Sequence, residues 1–221
     1  MAFFGDRIDA GKRLAAALSD FAGRNGVVLA IPRGGVVVGY QIAEALDLPL
    51  DVIIPRKLGA PGNPELAIGA IAEDGTAVLD DELIRYLGVG RQYIYEEGER
   101  QKAEIGRRLK VYREGMPPQN LKGKEVIVVD DGIATGSTMK AALASVKNRG
   151  AASVTVAVPV GPPSTIEELK RRADHVVCLY TPEYFEAIGQ FYANFSQTSD
   201  GEVITLLRMR REAQPKGVTT A

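Results

Sequence analysis

Residues 126–138 read VIVVDDGIATGST: four apolar residues, two acids, and a loop of small and hydroxyl residues that leads into a helical pattern. Four consecutive apolar residues are typical of a strand that is buried on both faces of a parallel sheet. The helical pattern begins at Ser137, and the first N–H groups of a helix have no partner within the helix. The segment therefore predicts a strand–loop–helix unit with an anion site at the start of the helix.

The same alternation of strands and helices extends along most of the chain. Short apolar runs predict strands at residues 27–31, 51–55, 125–130, 153–158 and 175–179, and helical patterns lie at residues 10–21, 36–46, 137–149 and 164–173. Pro163-Ser164 with Glu167 three residues later predicts a capping box at the start of the last helix. The alternation predicts an α/β fold with a doubly wound, mostly parallel sheet.

Two segments interrupt this alternation. Residues 63–79 contain glycine and proline, and they predict a loop that leads into a hairpin at Asp74-Gly75. Residues 80–115 predict a highly charged helical insertion with a thin apolar stripe. The insertion is interpreted either as a lid or partner helix or as a solvated helix packed along one edge of the sheet, and the second interpretation is favoured.

The length of the chain, 221 residues, favours a single domain with elaborations. We expect a core over about residues 9–180, with the insertion at residues 80–115. A small hood, defined as residues 181–207, is expected to follow the last strand. Residues 208–221 are polar and contain Pro215 and Gly217, so they predict a frayed tail.

Composition excludes several classes of protein. Lys and Arg number 27 against 28 Asp and Glu, and this balance argues against nucleic acid or an anionic membrane as the main partner. Only a local basic face, such as residues 100–113, remains a candidate for nucleic acid. The single His175 excludes a multi-histidine metal site, and the single Cys178 excludes an internal disulfide. Both residues are predicted to be structural.

The sequence also predicts where the protein is found. Residues 1–9 carry charges and lack the apolar core of a signal peptide. No run approaches the roughly 18–20 apolar residues that a membrane-spanning helix needs. We therefore expect a cytoplasmic protein without membrane contact.

The loop after the buried strand carries the groups that a phosphate site needs. Gly136 allows the backbone to approach a ligand closely, and the hydroxyls of Thr135, Ser137 and Thr138 add donors. The Walker A spacing is absent, because no Lys precedes Ser137. Two acids at the end of the strand, Asp130 and Asp131, can bind vicinal hydroxyls or a hydrated Mg²⁺. A phosphate site beside a diol site predicts a sugar phosphate as the ligand.

This block resembles the signature of type I phosphoribosyltransferases, which bind 5-phosphoribosyl 1-pyrophosphate (PRPP) with Mg²⁺. The resemblance implies that Asp130 and Asp131 hold the 2′- and 3′-hydroxyls of ribose and hold Mg²⁺ directly or through water. It assigns the 5′-phosphate to the loop residues Ala134, Thr135, Gly136, Ser137 and Thr138. It further implies a phosphoribosyltransferase-like fold, with the hood after the last strand, and a homodimer.

The turn after the first predicted strand fits the same family. It reads Ile31-Pro32-Arg33-Gly34-Gly35, and in the family this position is a pyrophosphate loop, often with a strained peptide bond. The two glycines free the backbone, and Arg33 offers a forked donor to phosphate oxygens. The alternative is an ordinary turn between a strand and a helix with an arginine on the surface.

Residues 56–65, RKLGAPGNPE, follow the second predicted strand and resemble the strand end and flexible catalytic loop of the family. The resemblance implies that Arg56 and Lys57 meet pyrophosphate while the loop closes over it. Glycine and proline punctuate the segment, and this composition suits a mobile lid. Glu65 is then a candidate general acid or base. A surface turn without a role in catalysis is the alternative.

The acceptor is less well specified. Members of the family that act on 6-oxopurines carry an acid at the position of Ala134 and commonly a Lys at the position of Ser137, so hypoxanthine and guanine are disfavoured. Adenine- and orotate-type members also lack that acid, so several classes of acceptor stay open. The hood contains five aromatic residues: Tyr184, Phe185, Phe191, Tyr192 and Phe195. An aromatic ring there could stack on a base, but packing of the hood onto the domain is the favoured interpretation.

These expectations predict a pentosyltransferase that moves the 5-phosphoribosyl group from PRPP to a nitrogenous base or similar acceptor and releases pyrophosphate. The chemistry needs cations and Mg²⁺ at the leaving group, but no histidine or cysteine. One alternative is a regulatory or binding module that senses PRPP without transferring anything. A weaker alternative is a phosphate-ester hydrolase, for which the sequence has no convincing nucleophile and base.

Overall fold

The structure is a computed structural model, which describes residues 3–214. Eight strands run through these residues: β1 Gly26–Ala30, β2 Leu50–Val52, β3 Arg56–Ala60, β4 Asn63–Ile71, β5 Ala77–Leu79, β6 Glu125–Val129, β7 Ser153–Val160 and β8 His175–Tyr180. Five strands form a parallel sheet in the order β2-β1-β6-β7-β8, and three form an antiparallel sheet in the order β3-β4-β5.

Helices cover the parallel sheet and its edge. They are α1 Arg7–Ala17, α2 Gly34–Leu46, α3 Asp81–Leu87, α4 Arg91–Arg113, α5 Ser137–Asn148, α6 Pro163–Lys170 and α7 Asp200–Ala213. None of the helices described within residues 3–214 combines the length and the apolar character needed to cross a membrane.

The parallel sheet is buried on both faces, as its apolar strands predict. Val28 and Ala30 of β1 pack in one cluster with residues of α1 and α2. Their neighbours Val27 and Leu29 pack in a second cluster with residues of α5 and α6. Because side chains alternate along a strand, one uninterrupted apolar run supplies both clusters. The predicted doubly wound α/β fold is confirmed.

The prediction of a loop over residues 63–79 is wrong in its first half. Residues 63–71 form β4, which pairs with β3, although the hairpin at Asp74-Gly75 is present. Pro64 has no backbone N–H group to donate. It is accommodated because the register of the β3–β4 pairing shifts between Leu58 and Ala60, so that not every N–H group of β4 is needed for pairing. The predicted strand at residues 51–55 is shorter, with β2 ending at Val52.

The helical insertion at residues 80–115 is confirmed as two helices, α3 and α4. The longer helix is packed rather than free, because Ile105 and Tyr112 are buried in the same cluster as residues of α2 and β3. At its other end, the Tyr93 hydroxyl donates a hydrogen bond to the Gly59 carbonyl at 2.9 Å. The insertion therefore supports β3 and lies beside the edge strand β2, as the favoured interpretation predicts.

Two predictions about helix ends need correction. Helix α6 begins with Pro163 and has no side-chain cap, whereas a complete capping box occurs between Ser199 and Glu202 at the start of α7. The predicted tail at residues 208–221 is wrong over residues 208–213, because α7 continues to Ala213. Arg210 is buried there, and its Nε donates to the Leu48 carbonyl at 2.8 Å. The remainder of the predicted tail, residues 215–221, lies outside the described residues.

The hood packs mainly through its rings, in agreement with the favoured interpretation. Phe185, Phe191, Tyr192 and Phe195 form a chain of ring contacts that includes Phe3, Phe4 and Tyr180 of the body. Tyr184 is the exception, since 81% of its surface is exposed. The predicted boundary of the hood at residue 207 falls inside α7.

His175 and Cys178 both lie on the edge strand β8, which is far along the sequence from Asp130 and Asp131. His175 is exposed. The Cys178 thiol donates to the Tyr180 carbonyl at 3.3 Å, and burial raises its pKa to about 11. A thiol with so high a pKa is poorly suited to nucleophilic chemistry.

Candidate active site

The candidate site lies at the carboxyl ends of β1 and β6, which are neighbours in the parallel sheet. The chain leaves β1 through α2 towards β2 and leaves β6 through α5 towards β7, in opposite directions along the sheet. Such a switch point opens a crevice between the two strand ends, and this is where open α/β sheets bind ligands. The predicted pyrophosphate turn and the predicted acid pair leave these two strands side by side.

Close packing joins the turn to the acids. The Ile31 amide donates to the Val129 carbonyl at 2.8 Å, which continues the pairing of β1 with β6 beyond Ala30. A Cβ atom at Gly35 would lie 3.0 Å from the Asp130 Cα atom. A Cβ atom at Gly34 would overlap the Asp131 Oδ2 atom. Glycine is therefore required at position 34 for the turn to lie against the acid pair.

The remaining residues of the turn are also placed at this edge. The peptide bond between Pro32 and Arg33 is cis. The Arg33 guanidinium lies 3.8 Å from the Asp200 carboxylate at the start of α7, and both side chains are partly exposed. Tyr112 of α4 donates to the same carboxylate at 2.6 Å. Burial, and then this hydrogen bond to Asp200, raise the pKa of Tyr112 to about 12.

The two acids differ in their electrostatic surroundings. The Asp131 carboxylate accepts a hydrogen bond from Arg7 Nε at 2.7 Å, whereas Asp130 accepts one from the Asp131 amide at 2.8 Å. Burial, and secondly the charge of Asp131, raise the pKa of Asp130 well above its ordinary value. A carboxylate in such surroundings is stabilised by ligands that bring hydroxyl donors or positive charge. The pair is thus suited to a diol or a divalent cation.

Arg7 belongs to this site, although the sequence analysis missed it. Besides Asp131, its guanidinium binds the Ser196 carbonyl at 2.7 Å and lies over the Phe195 ring, 3.9 Å from its centroid. The side chains of Arg7 and Asp131 are only 12% and 13% exposed. Arg7 therefore ties the hood to the acid pair. No local sequence signal could have revealed this, because its partners lie 124 and 189 residues away.

We expect the Arg7→Leu variant to loosen the hood. Losing hydrogen bonds from a charged group costs about 1.5–3 kcal/mol, so amide exchange in residues 194–198 should accelerate by roughly 10- to 100-fold. Hydrogen-exchange mass spectrometry measures this directly. The control is Lys12→Leu, because Lys12 is exposed on the same helix and takes part in no ion pair within the described residues. Equal exchange in the two variants would contradict the role of Arg7.

The predicted phosphate loop has the geometry of an anion site. Gly136 begins the helix with a φ of 72°, and a Cβ atom there would lie 2.9 Å from Thr165 Cγ2. The first backbone N–H group of α5 that has a partner in this turn is that of Lys140, which donates to the Gly136 carbonyl. No side chain in residues 3–214 caps the helix. Thr165 donates to the Ala134 carbonyl at 2.8 Å and fixes the loop. The preceding N–H groups are thus available to an anion.

Hydroxyl groups line this loop. The Thr135 and Ser137 oxygens are 3.3 Å apart, and Thr138 is partly exposed in the first turn of α5. Beyond the loop, Lys140 pairs with Glu168 at 2.6 Å, so the charge of that lysine is already matched. Backbone amides and hydroxyls are therefore the donors that the loop offers to a ligand.

The cations of the third predicted segment lie on a hairpin and not in a loop. Residues 56–60 and 63–71 are strands, and Leu58 and Ala60 are buried. The predicted strand end is therefore present, but the segment after it is a two-residue turn and a second strand instead of a longer loop. Arg56 donates from Nε to the Gln101 side-chain carbonyl on α4, and Lys57 is exposed. Within residues 3–214, no carboxylate lies within 4.0 Å of either cation.

Glu65 lies on the exposed end of the same hairpin. It forms no hydrogen bond or ion pair with any of the other predicted site residues in the described chain. The structure therefore brings together residues 33–35 with Asp130 and Asp131, but it records no contact between Glu65 and this group. The role of Glu65 in acid or base catalysis stays a prediction.

Comparison with known proteins identifies the class to which this fold and site belong. The family model for the phosphoribosyl transferase domain matches residues 5–196, so the chain belongs to that family. The match includes the turn at residues 31–35, the hairpin cations, and the acid pair with its phosphate loop.

Individual relatives agree with this assignment. The crystal structure of TT1426 from Thermus thermophilus is 44% identical and superposes with a TM-score of 0.81, covering 94% of this chain and 98% of that one. The Mycobacterium tuberculosis (H37Rv) protein named "Putative phosphoribosyl transferase Rv0571c" is 45% identical over 222 residues, which cover 100% of this chain and 50% of the relative. This chain thus spans about half the length of that relative. The uracil phosphoribosyltransferase of Lactobacillus gasseri is 29% identical over 178 residues, which cover 76% of this chain and 80% of that protein.

Proposed function

We propose that this protein transfers the 5-phosphoribosyl group of PRPP to a nitrogenous base or similar acceptor, with release of pyrophosphate. The observation that carries the proposal is the packing of Gly34, in the pyrophosphate turn, directly against the Asp131 carboxylate. The proposed sites for pyrophosphate and for a diol are then adjacent, as PRPP requires, because its pyrophosphate is attached to the ribose carbon beside the diol. Membership of the phosphoribosyl transferase family supports the proposal.

Each part of PRPP has candidate partners. The 5′-phosphate would be held by the loop that begins α5, and the ribose hydroxyls by Asp130 and Asp131. The pyrophosphate would be held by the turn at residues 33–35 together with Arg56 and Lys57. The loop residues are Ala134, Thr135, Gly136, Ser137 and Thr138.

The acid pair fits Mg²⁺ by its chemistry. Mg²⁺ prefers oxygen ligands and usually binds through one or two carboxylates together with substrate oxygens. Asp130 and Asp131, directly or through water, are the proposed ligands. When bound, Mg²⁺ would supply positive charge for the pyrophosphate oxygens.

Catalysis would rest on charge stabilisation at the leaving group. The bond between ribose C1 and pyrophosphate breaks, positive charge develops at C1, and an acceptor nitrogen attacks that carbon. Arg33, Arg56 and Lys57 would stabilise the negative charge that pyrophosphate gains, and preorganised charges are effective at this task. Glu65 is the proposed group for moving a proton to or from the acceptor.

The choice of acceptor rests on two signals. Ala134 and Ser137 occupy positions where 6-oxopurine enzymes carry an acid and a lysine, and a relative named uracil phosphoribosyltransferase aligns over 76% of the chain. Uracil is therefore the first acceptor to test. Purines serve as the comparison.

The second candidate is a module that binds PRPP without transfer. In either candidate a ribose hydroxyl would share the Asp131 carboxylate with Arg7, whose Nε lies 2.7 Å from Oδ2, so this contact does not separate the two. Pyrophosphate release in the presence of a panel of bases distinguishes the candidates. Turnover supports the transferase, whereas PRPP binding without turnover for any base supports the module.

The diol assignment predicts the behaviour of two variants. Asp130→Asn and Asp131→Asn should each weaken PRPP binding by about 10- to 100-fold with Mg²⁺ present, because each removes a charged hydrogen-bond acceptor. Isotope-labelled PRPP measures the affinity, and exposed Asp20→Asn is the matched control. Unchanged affinity in both site variants would overturn the assignment.

A further inference from the structure

A chain of side chains on α4 leads to one of the candidate pyrophosphate cations. Arg56 Nε donates to the Gln101 side-chain carbonyl, and Gln101 Nε2 donates to Glu97 Oε1 at 2.7 Å. The other oxygen of Glu97 accepts two hydrogen bonds from Arg100, at 2.9 and 2.5 Å. Glu97 is buried on a helix that is otherwise rich in exposed charges. Glu97, Arg100 and Gln101 belong to none of the motifs that the sequence analysis assigns to ligand binding.

This chain fixes which end of the Gln101 amide faces Arg56. An ionised carboxylate only accepts hydrogen bonds, so Glu97 holds the amide nitrogen and leaves the amide oxygen for Arg56. The Arg56 guanidinium is thereby held at Nε, the atom nearest the chain. Its terminal nitrogens, which form the fork that binds phosphate oxygens, have no carboxylate within 4.0 Å in residues 3–214.

The lack of charge on the Gln101 side chain matters as much as its position. A neutral amide orients an arginine without cancelling its charge, whereas a carboxylate does both. Arg113, twelve residues further along the same helix, shows the contrast, because the Asp51 carboxylate binds it at 2.9 and 3.2 Å and leaves it neutralised. The negative charge of Glu97 is matched by Arg100. Arg56 therefore keeps its full positive charge for an anion.

We infer that Gln101 is a positioning residue that orients Arg56 towards pyrophosphate while leaving its charge unpaired. The inference deepens the proposed function and rests on it. The helical insertion then contributes to leaving-group binding through Gln101, and the Tyr93–Gly59 hydrogen bond keeps the helix in register with β3.

The test is a pair of titrations with Mg²⁺ present, one with pyrophosphate and one with ribose 5-phosphate, which lacks the leaving group. The variants are Gln101→Leu, which removes the acceptor, and Gln101→Glu, which retains an acceptor but adds a negative charge. The matched controls are Gln92→Leu and Gln92→Glu, because Gln92 pairs with Glu96 on the exposed face of the same helix. Thermal melting checks that each variant folds.

Both Gln101 variants should bind pyrophosphate at least about 10-fold more weakly than the wild type, while their affinity for ribose 5-phosphate stays within about twofold. The Gln92 variants should bind both ligands normally. Normal pyrophosphate binding in either Gln101 variant, or an equal loss of affinity for both ligands, would overturn the inference about Gln101 but leave the proposed function standing. A wild-type protein that binds neither ligand would overturn the proposed function as well.

Discussion

The Gly34→Ala variant is expected to bind PRPP about 10- to 100-fold more weakly than the wild type. Its added methyl group would overlap Asp131 Oδ2 and lie 2.6 Å from Arg7 Nε. Either the acid leaves its place or the turn moves away from it, and both changes separate the proposed diol site from the proposed pyrophosphate site. Titration with PRPP and Mg²⁺ measures the loss.

Two controls isolate the steric cause. Gly106→Ala adds the same methyl group to an exposed position of α4 where nothing lies within 4 Å, so PRPP binding should not change. In an Asp131→Ala background, the Gly34→Ala substitution should cause little additional loss, because the clashing oxygen is gone and the flexible Arg7 side chain, no longer held by Asp131, can move aside. If Gly34→Ala costs the same in both backgrounds, its effect does not pass through Asp131.

The Arg113→Leu variant should lose about 3–5 kcal/mol of unfolding free energy, because it leaves buried charge without a partner. Arg113 binds Asp51 and the Val52 carbonyl and lies 3.4 Å from Glu73, and the Arg113 and Asp51 side chains are each 9% exposed. Arg149 binds the other oxygen of Glu73 at 2.6 Å. This network joins α4, α5 and the edge of the parallel sheet.

Urea denaturation measures this loss. The matched control on the same helix is Arg107→Leu, whose ion pair with Glu104 is largely exposed, and it should cost less than about 1 kcal/mol. A similar, small loss in both variants would show that the buried network contributes little to stability. Burial already raises the pKa of Glu73, which indicates how poorly this environment tolerates an unpaired charge.

The sequence predicts best those parts of the site that lie close together along the chain. Strand β6, the acid pair and the start of α5 are contiguous, so one apolar run and one loop composition reveal all three. The turn at residues 31–35 is detectable for the same reason. Its contact with Asp131 follows from the topology, because parallel strands direct their carboxyl ends to one edge of the sheet.

The rest of the site depends on contacts between distant segments. Gln101 and Arg7 carry no motif, and their partners are 45 and 124 residues away. The strand at residues 63–71 was missed because Pro64 and Gly69 oppose strand structure locally, while pairing with β3 and β5 overrides that preference. The sequence analysis predicts no helix at α7, since residues 200–207 are assigned to the hood and residues 208–213 to a polar tail. The burial of Arg210 depends on contacts with the distant residues Asp47 and Leu48.

Helix α7 has one more consequence. The match to the family ends at residue 196, before this helix begins, yet Val203 and Leu207 are buried in the same apolar cluster as Leu46 and Leu48. A fragment cut at the end of the family match would expose that surface to water and leave the Leu48 carbonyl without its arginine. The segment that packs as one unit is therefore longer than the segment that the family model matches.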